Sequence, residues 1–266
     1  EPSSRRKSAL LQDILEAESF YAPIAEALGM EGLAAMLRSQ ANRIRLMEQG
    51  LAHNVGRAEA KMDPLYRLGA ERAMRVVFGD SYNFTSSHVV GKVNGEHPVH
   101  IGEFVAAGGE VSFAGNWRFK TPGGLAAKLE KKKASEISGL QPEVDMPMDL
   151  FGMMIIADDD EAMANSFVHF LKTRQHEVQL QPGRSKKKAI IVQGSRKYAA
   201  LVASKLREAG ISDDLVQYKT QSKKEANVKG YKQYEVSKVT FIAHDKLTGV
   251  DIPTEVQFVT KAERER

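Results

Sequence analysis

The sequence predicts an α+β fold, a mixed β-sheet flanked by helices and preceded by an N-terminal helical module, on three observations. Apolar residues recur at helical spacing through the first 79 residues, composition shifts abruptly after Gly79, and two late stretches alternate with the period of a strand. The boundaries expected are 1–79 for the helical module and 80–266 for the sheet domain. At 266 residues and 42% hydrophobic, the chain can bury a full core.

In chain order, Leu10, Leu11, Ile14 and Leu15 mark a first helix, and Leu33, Met36, Leu37, Ile44 and Met47 a second, punctuated by Gly29 and Gly32. Residues 57–79 predict one further helix, with Leu65, Leu68, Ala73, Met74, Val77 and Phe78 on its apolar side. From 80 to 110 the chain is rich in Ser, Asn, Gly and His, and reads as loops with short apolar pieces. His88, His97 and His100 lack a Cys or carboxylate at ligand spacing and read as loop histidines. Val111–Lys120 predicts a strand with Arg118 and Lys120 on one face and Phe119 on the other. Two cations on one strand face have two readings, simple exposure or a phosphate site.

Thr121-Pro122-Gly123-Gly124 opens a helix running to about Ser135 and carrying Lys128; a helix N-terminus beside cations is suited to an anion. Residues 148–157 predict a buried strand with Asp149 at its start. That acid either caps a turn or serves as a ligand for a divalent cation, which takes one or two carboxylates plus substrate phosphates. A helix over 161–173, a strand over 189–192, a helix over 196–209 and a lysine-rich loop over 219–229 follow.

The chain closes on two alternating runs, 230–241 and 254–260, which predict a hairpin around the turn-rich His244–Gly249, with Pro253 opening the returning strand. Glu255 and Gln257 share a face there. Burying them unpartnered would cost ~1–3 kcal/mol each, so they face water or a cleft.

Charge excludes less than it suggests. The net +4 comes from 38 basic and 34 acidic residues, but Lys131–Lys133, Lys186–Lys188 and Lys223–Lys224 are clustered, either as solvated loops or as contacts for nucleotide or RNA phosphates. With Cys 0 there is no disulfide framework or thiolate metal site. No run approaches the ~18 apolar residues of a membrane span and no signal peptide is seen, so a cytoplasmic protein without a membrane partner is expected, delivery as an effector being left open. The chain begins at Glu1 without a methionine, as a piece of a longer protein would.

The order of these features resembles the synthetase half of RelA/SpoT-type alarmone synthetases. Tyr21–Met30 is similar to the helical linker before that half, Arg118-Phe119-Lys120 with Lys128 to its Arg-x-Lys and following lysine, and Asp149-Leu150-Phe151-Gly152 to its strand aspartate. Gly230-Tyr231 resembles the motif whose tyrosine stacks on the acceptor base, and Glu255-Val256-Gln257 the Glu-x-Gln strand.

The resemblance implies a nucleotidyltransferase-like fold and an ATP-dependent pyrophosphokinase. Arg118, Lys120 and Lys128 would bind ATP, Asp149 and Glu255 would hold Mg²⁺ and carry catalysis, and Tyr231, Gln257 and Lys229 would bind the acceptor. GDP, GTP or an adenine nucleotide would be that acceptor, giving an alarmone of the stringent response. A tRNA 3′ end, or a catalytically silent nucleotide- or RNA-binding domain, is the alternative, and short synthetases of this kind can assemble as homo-oligomers. Departures from the family pattern fall at Met153-Met154 and Val259, where arginines are usual, and at Glu235, where histidine is; an added strand and helix near 189–210 lengthen the middle.

Overall fold

A computed structural model of the chain describes residues 4–79, 82–90, 100–108, 111–135, 147, 149–179, 189–220 and 235–264. Two compact units emerge. The first comprises 1–70, 88–102 and 118–150, and the second 71–87, 103–117 and 151–266.

In the first unit, α1 (Ser4–Glu16) continues through a π-helical turn, Ala17–Tyr21, into α2 (Ala22–Ala27), followed by α3 (Glu31–Glu48) and α4 (Ala52–Leu68). Small residues explain how these helices approach closely. Ala22, Ala25 and Ala34 form a buried cluster against Leu37, and Gly32, Ser39 and Ala41 continue the buried face of α3. The single helix expected over 57–79 is two: α4 ends at Gly69, whose φ of +81° lies in the left-handed region that glycine alone adopts without strain, and α5 (Ala70–Phe78) restarts the helix.

The sheet has eight strands in the order β1-β2-β3-β4-β8-β7-β5-β6: β1 (Asn83–Val90), β2 (Ile101–Gly108), β3 (Val111–Phe119), β4 (Phe151–Ala157), β5 (Ile190–Gly194), β6 (Val216–Thr220), β7 (Val236–His244) and β8 (Asp251–Thr260). It is mixed, since β4 runs parallel to β8 and β5 parallel to β6, while β7 is antiparallel to both β8 and β5. Among the described residues, the remaining α-helices are α6 (Pro122–Ser135), α7 (Asp160–Gln179), α8 (Arg196–Glu208) and the short α9 (Lys261–Arg264), with a 3-10 turn over Asp213–Leu215. The fold class is therefore α+β with a mixed sheet flanked by helices. β1 and β2 correct the reading of 80–110 as loops: hydrogen-bonded partners join their short apolar pieces into strands across intervening Ser, Ala and Gly residues.

One face of the second unit's sheet is core. Phe151, Met153 and Ile155 of β4, Val256 and Phe258 of β8, and Val239 and Phe241 of β7 are all buried. Phe167 and Phe170 of α7 close over them, with ring centroids 5.2 and 5.8 Å from Phe258. Each such side chain contributes about 1.5–3 kcal/mol by leaving water. A second aromatic group gathers on Phe78, which meets Tyr82, Phe84, Phe104, Phe113 and Phe170 within 6.0 Å.

The β7–β8 hairpin is present as expected. Pro253 is the third residue of β8 rather than the first, opposite Ile242, and the β4 register begins only at Thr254, so its missing N–H falls beyond the end of β4. Among the described residues, no helix is long and apolar enough to cross a membrane.

Candidate functional site

The first unit positions Lys120 through its own backbone. Its N–H donates to the Leu150 carbonyl at 2.8 Å, and its carbonyl accepts from the Tyr66 hydroxyl at 2.9 Å. Tyr66 is fixed in turn, stacked on His100 at 4.9 Å and edge-on to Phe119 at 5.7 Å; burial pushes its phenol well above the usual range. The alternation read from sequence is kept, with Phe119 buried and Arg118 exposed.

Next in the chain, Thr121 caps α6 by accepting from the Gly124 N–H at 3.2 Å, and Pro122 fills the first helical position, where no N–H is needed. Gly123 is obligatory for space. A Cβ there would stand 2.1 Å from the Ser39 carbonyl oxygen, so only glycine lets the first turn of α6 lie on α3. Lys128 follows about two turns after the cap and therefore comes back to the same side of the helix.

These elements converge on Asp149. Lys120 Nζ lies 2.7 Å from one carboxylate oxygen, and Lys128 Nζ lies 2.7 Å from both. Asp149 is half-buried. Burial pushes its carboxyl up, but the hydrogen bonds from Lys120 and Lys128 outweigh burial and hold it below the usual carboxylate range. Lys120 is drawn below the usual ammonium range by burial, and although Asp149 opposes this, Lys128 and Arg118 add to it. One carboxylate thus serves two ammonium groups beside a guanidinium, which leaves this corner with excess positive charge.

Arg118, Lys120, Thr121, Gly124 and Asp149 form one wall of a cavity of about 510 Å³. The opposite wall comes from α2 and α3 and carries Glu26, Glu31, Arg38 and Asn42. Arg38 and Glu26 form a forked ion pair, so the cations left to meet an anion lie at the Asp149 end.

In the second unit, Glu255 and Gln257 are half-buried on the face of β8 turned away from α7, and the Gln257 amide donates to Glu255. Across the ladders, Glu255 stands between Thr240 and Gly152, and Gln257 between Lys238 and Met154. Gly152 presents no side chain beside the carboxylate. Met153, at one of the departures from the family pattern, is core, while Glu235, at another, accepts from the Ser195 hydroxyl at 2.5 Å.

No protein-family model, curated protein or solved structure matches the chain. Its functional reading rests on the residues themselves. The structure brings together Arg118, Lys120, Lys128 and Asp149 in the first unit, and Glu255 and Gln257 in the second. Tyr231 and Lys229 lie outside the described residues, as do Lys186–Lys188, Lys223–Lys224 and His97, and the side chains of Lys131–Lys133 and His88 are likewise not described. Among the described residues, no group of three or more His, Cys, Asp or Glu is placed to hold a metal.

Asp149 does not cap a turn. The capping carboxylate of this region is Asp159, which accepts from the Ala162 N–H at 2.8 Å at the start of α7. His100, read as a loop histidine, is an aromatic support for Tyr66. Glu26, Glu31 and Arg38 line the cavity although their helices read in the sequence only as an N-terminal module and linker. Arg38 and Asn42, four apart, share one helical face, but that spacing does not separate a cavity from water.

Proposed function

We propose that this chain is a Mg²⁺-dependent pyrophosphokinase of the RelA/SpoT synthetase kind, on a nucleotidyltransferase-like fold, which transfers pyrophosphate from ATP to the 3′-hydroxyl of an acceptor nucleotide. The observation that carries the reading is the cationic corner of the first unit: Arg118, Lys120 and Lys128 around Asp149, at the N-terminal turn of α6. Three cations with a single carboxylate between them suit a polyphosphate, whose charge restores the balance that Asp149 alone does not.

Oxygen donors suit Mg²⁺, which is held by one or two carboxylates with phosphates and water completing its shell; Asp149 would hold it in the first unit, and Glu255 is assigned to it by resemblance alone. When bound, the ion would supply charge neutralisation for the phosphates. Arg118, Lys120 and Lys128 orient the ATP phosphates and offset charge on the leaving group. Glu255, oriented by the Gln257 amide, accepts the proton of the acceptor 3′-hydroxyl as that oxygen bonds to the β-phosphorus. The bond from the β-phosphorus to the oxygen bridging it to the α-phosphorus breaks, and AMP leaves with the electron pair. Tyr231 and Lys229 are assigned to the acceptor by resemblance alone.

A second reading, nucleotide binding without turnover, is favoured by one observation: both oxygens of Asp149 are already engaged by lysines.

Incubation with γ-labelled ATP, Mg²⁺ and, in parallel, AMP, ADP, GMP, GDP, GTP and deacylated tRNA separates the two. Label transferred to one acceptor, and lost in Glu255→Gln, supports the enzyme. Nucleotide bound with no label transferred to any acceptor assigns the silent binding domain instead.

A further inference from the structure

The second unit holds a cavity of about 590 Å³ that the proposed chemistry does not use, lined by Arg72, Arg75, Arg174, His244, Asp245 and Lys246 among others. We infer that it is a separate binding site for a phosphate-bearing small molecule of at least two negative charges. Four cations face this space with a single carboxylate among them. That carboxylate is already committed. Asp245 is buried and accepts from the Arg72 guanidinium at 2.5 and 3.2 Å, from the Thr248 hydroxyl at 2.8 Å and from the Leu247 N–H at 3.3 Å.

The same bonds make the site rigid. Asp245 also closes the turn through its backbone, its N–H donating to the Val250 carbonyl at 2.9 Å and its carbonyl accepting from Gly249 at 2.7 Å, which fixes the backbone carrying Lys246. On the other side, Arg72 and Arg75 lie three apart on α5 and share a face. Arg75 lies over the Phe84 ring at 5.7 Å and pairs with the exposed Glu71, an ion pair that water screens and a ligand displaces readily. At the back, Arg174 is 8% exposed and donates to the Val76 carbonyl at 2.5 Å. A Cβ at Gly79 would stand 2.9 Å from that guanidinium, so the glycine, with φ +80°, gives it room.

Guanidinium forks bind phosphate oxygens in pairs, whereas a lone ammonium acts as a point charge. Three arginines and one lysine therefore fit a phosphorylated ligand better than a monocarboxylate. The volume falls within the ~300–1,000 Å³ of small-molecule sites, enough for a nucleotide and more than a lone phosphate needs.

The test is calorimetric titration of the whole chain at low salt with inorganic pyrophosphate and, in parallel, ADP. The variants are Arg75→Gln with Lys246→Gln for this cavity and Arg118→Gln for the first. Both altered side chains here are exposed, and Lys246→Gln alone serves if the double variant melts early. The double variant is expected to lose, about tenfold or more in affinity, a pyrophosphate site that Arg118→Gln retains. ADP bound more tightly than pyrophosphate at that site identifies a nucleotide as its occupant, and equal affinity identifies the phosphates as the whole of what is read. Pyrophosphate binding unchanged in the double variant, or absent from the wild-type chain outside the first cavity, overturns the inference.

Discussion

Asp149 and Asp245 are both carboxylates held by cations at the edge of a cavity, and they differ in what else holds them. Asp245 is 1% exposed and is gripped by an arginine fork, a hydroxyl and a backbone N–H, all within its own turn or from α5. Asp149 is a quarter exposed and meets two lysine ammonium groups on long, jointed side chains. The first arrangement is redundant and local, as a structural carboxylate requires. The second rests on two lysine side chains long enough for a ligand to displace, as the role proposed for Asp149 requires.

The largest expected effect follows from that difference. Asp149→Asn should lower label transfer by about 10²-fold or more, the loss typical of a removed charge-stabilising group, while its thermal melt falls by less than that of Asp245→Asn. Asp245→Asn should do the reverse and melt markedly earlier. Equal melting temperatures for the two variants would erase the distinction.

Gly123→Ala comes next. Forcing a Cβ against the Ser39 carbonyl should cost about 1–3 kcal/mol and, by lifting α6 off α3, weaken ATP binding as well; a denaturant melt and a nucleotide titration read the two effects.

Acid acts oppositely on Asp245 and Asp160. Asp245 is held well below its usual range, first by Arg72. A group depressed on folding contributes stability that is present above its unfolded value and lost as pH falls through its folded one. Between about pH 4 and pH 2 the Asp245→Asn chain should therefore lose less stability than the wild type. Asp160 has the opposite sign: burial, then the neighbouring Glu235, pushes it up to about 6. Its contribution is present at low pH and lost as pH rises through about 6, so Asp160→Asn should raise the melting temperature more at pH 8 than at pH 4. Paired melts at those pH values check both signs.

The smallest effect is expected at Glu26. Its pair with Arg38 is largely exposed, so Glu26→Gln should change stability by no more than about 1 kcal/mol in a denaturant melt, even though both residues line the first cavity.

What the sequence revealed divides along physical lines. The β7–β8 hairpin was legible because strict alternation spans both strands, and β4 because its apolar run is long enough for a central strand and too short for a helix. β1 and β2 were not, because Ser86, Ser87, Ala106, Ala107 and Gly108 have little strand character until a sheet supplies partners. At the site, Arg118, Lys120 and Lys128 stood out because a strand face and the helix after it carry cations together. Glu26 and Arg38 did not, since a charge on a surface helix looks the same in sequence whether it faces water or a cavity.

The most direct measurement is hydrogen exchange of the whole chain with and without Mg²⁺ and a non-hydrolysable ATP analogue. Slowed exchange over 118–128 and in α3 around Arg38 is the predicted result. Exchange there unchanged at saturating analogue would contradict the assignment of this cavity to ATP.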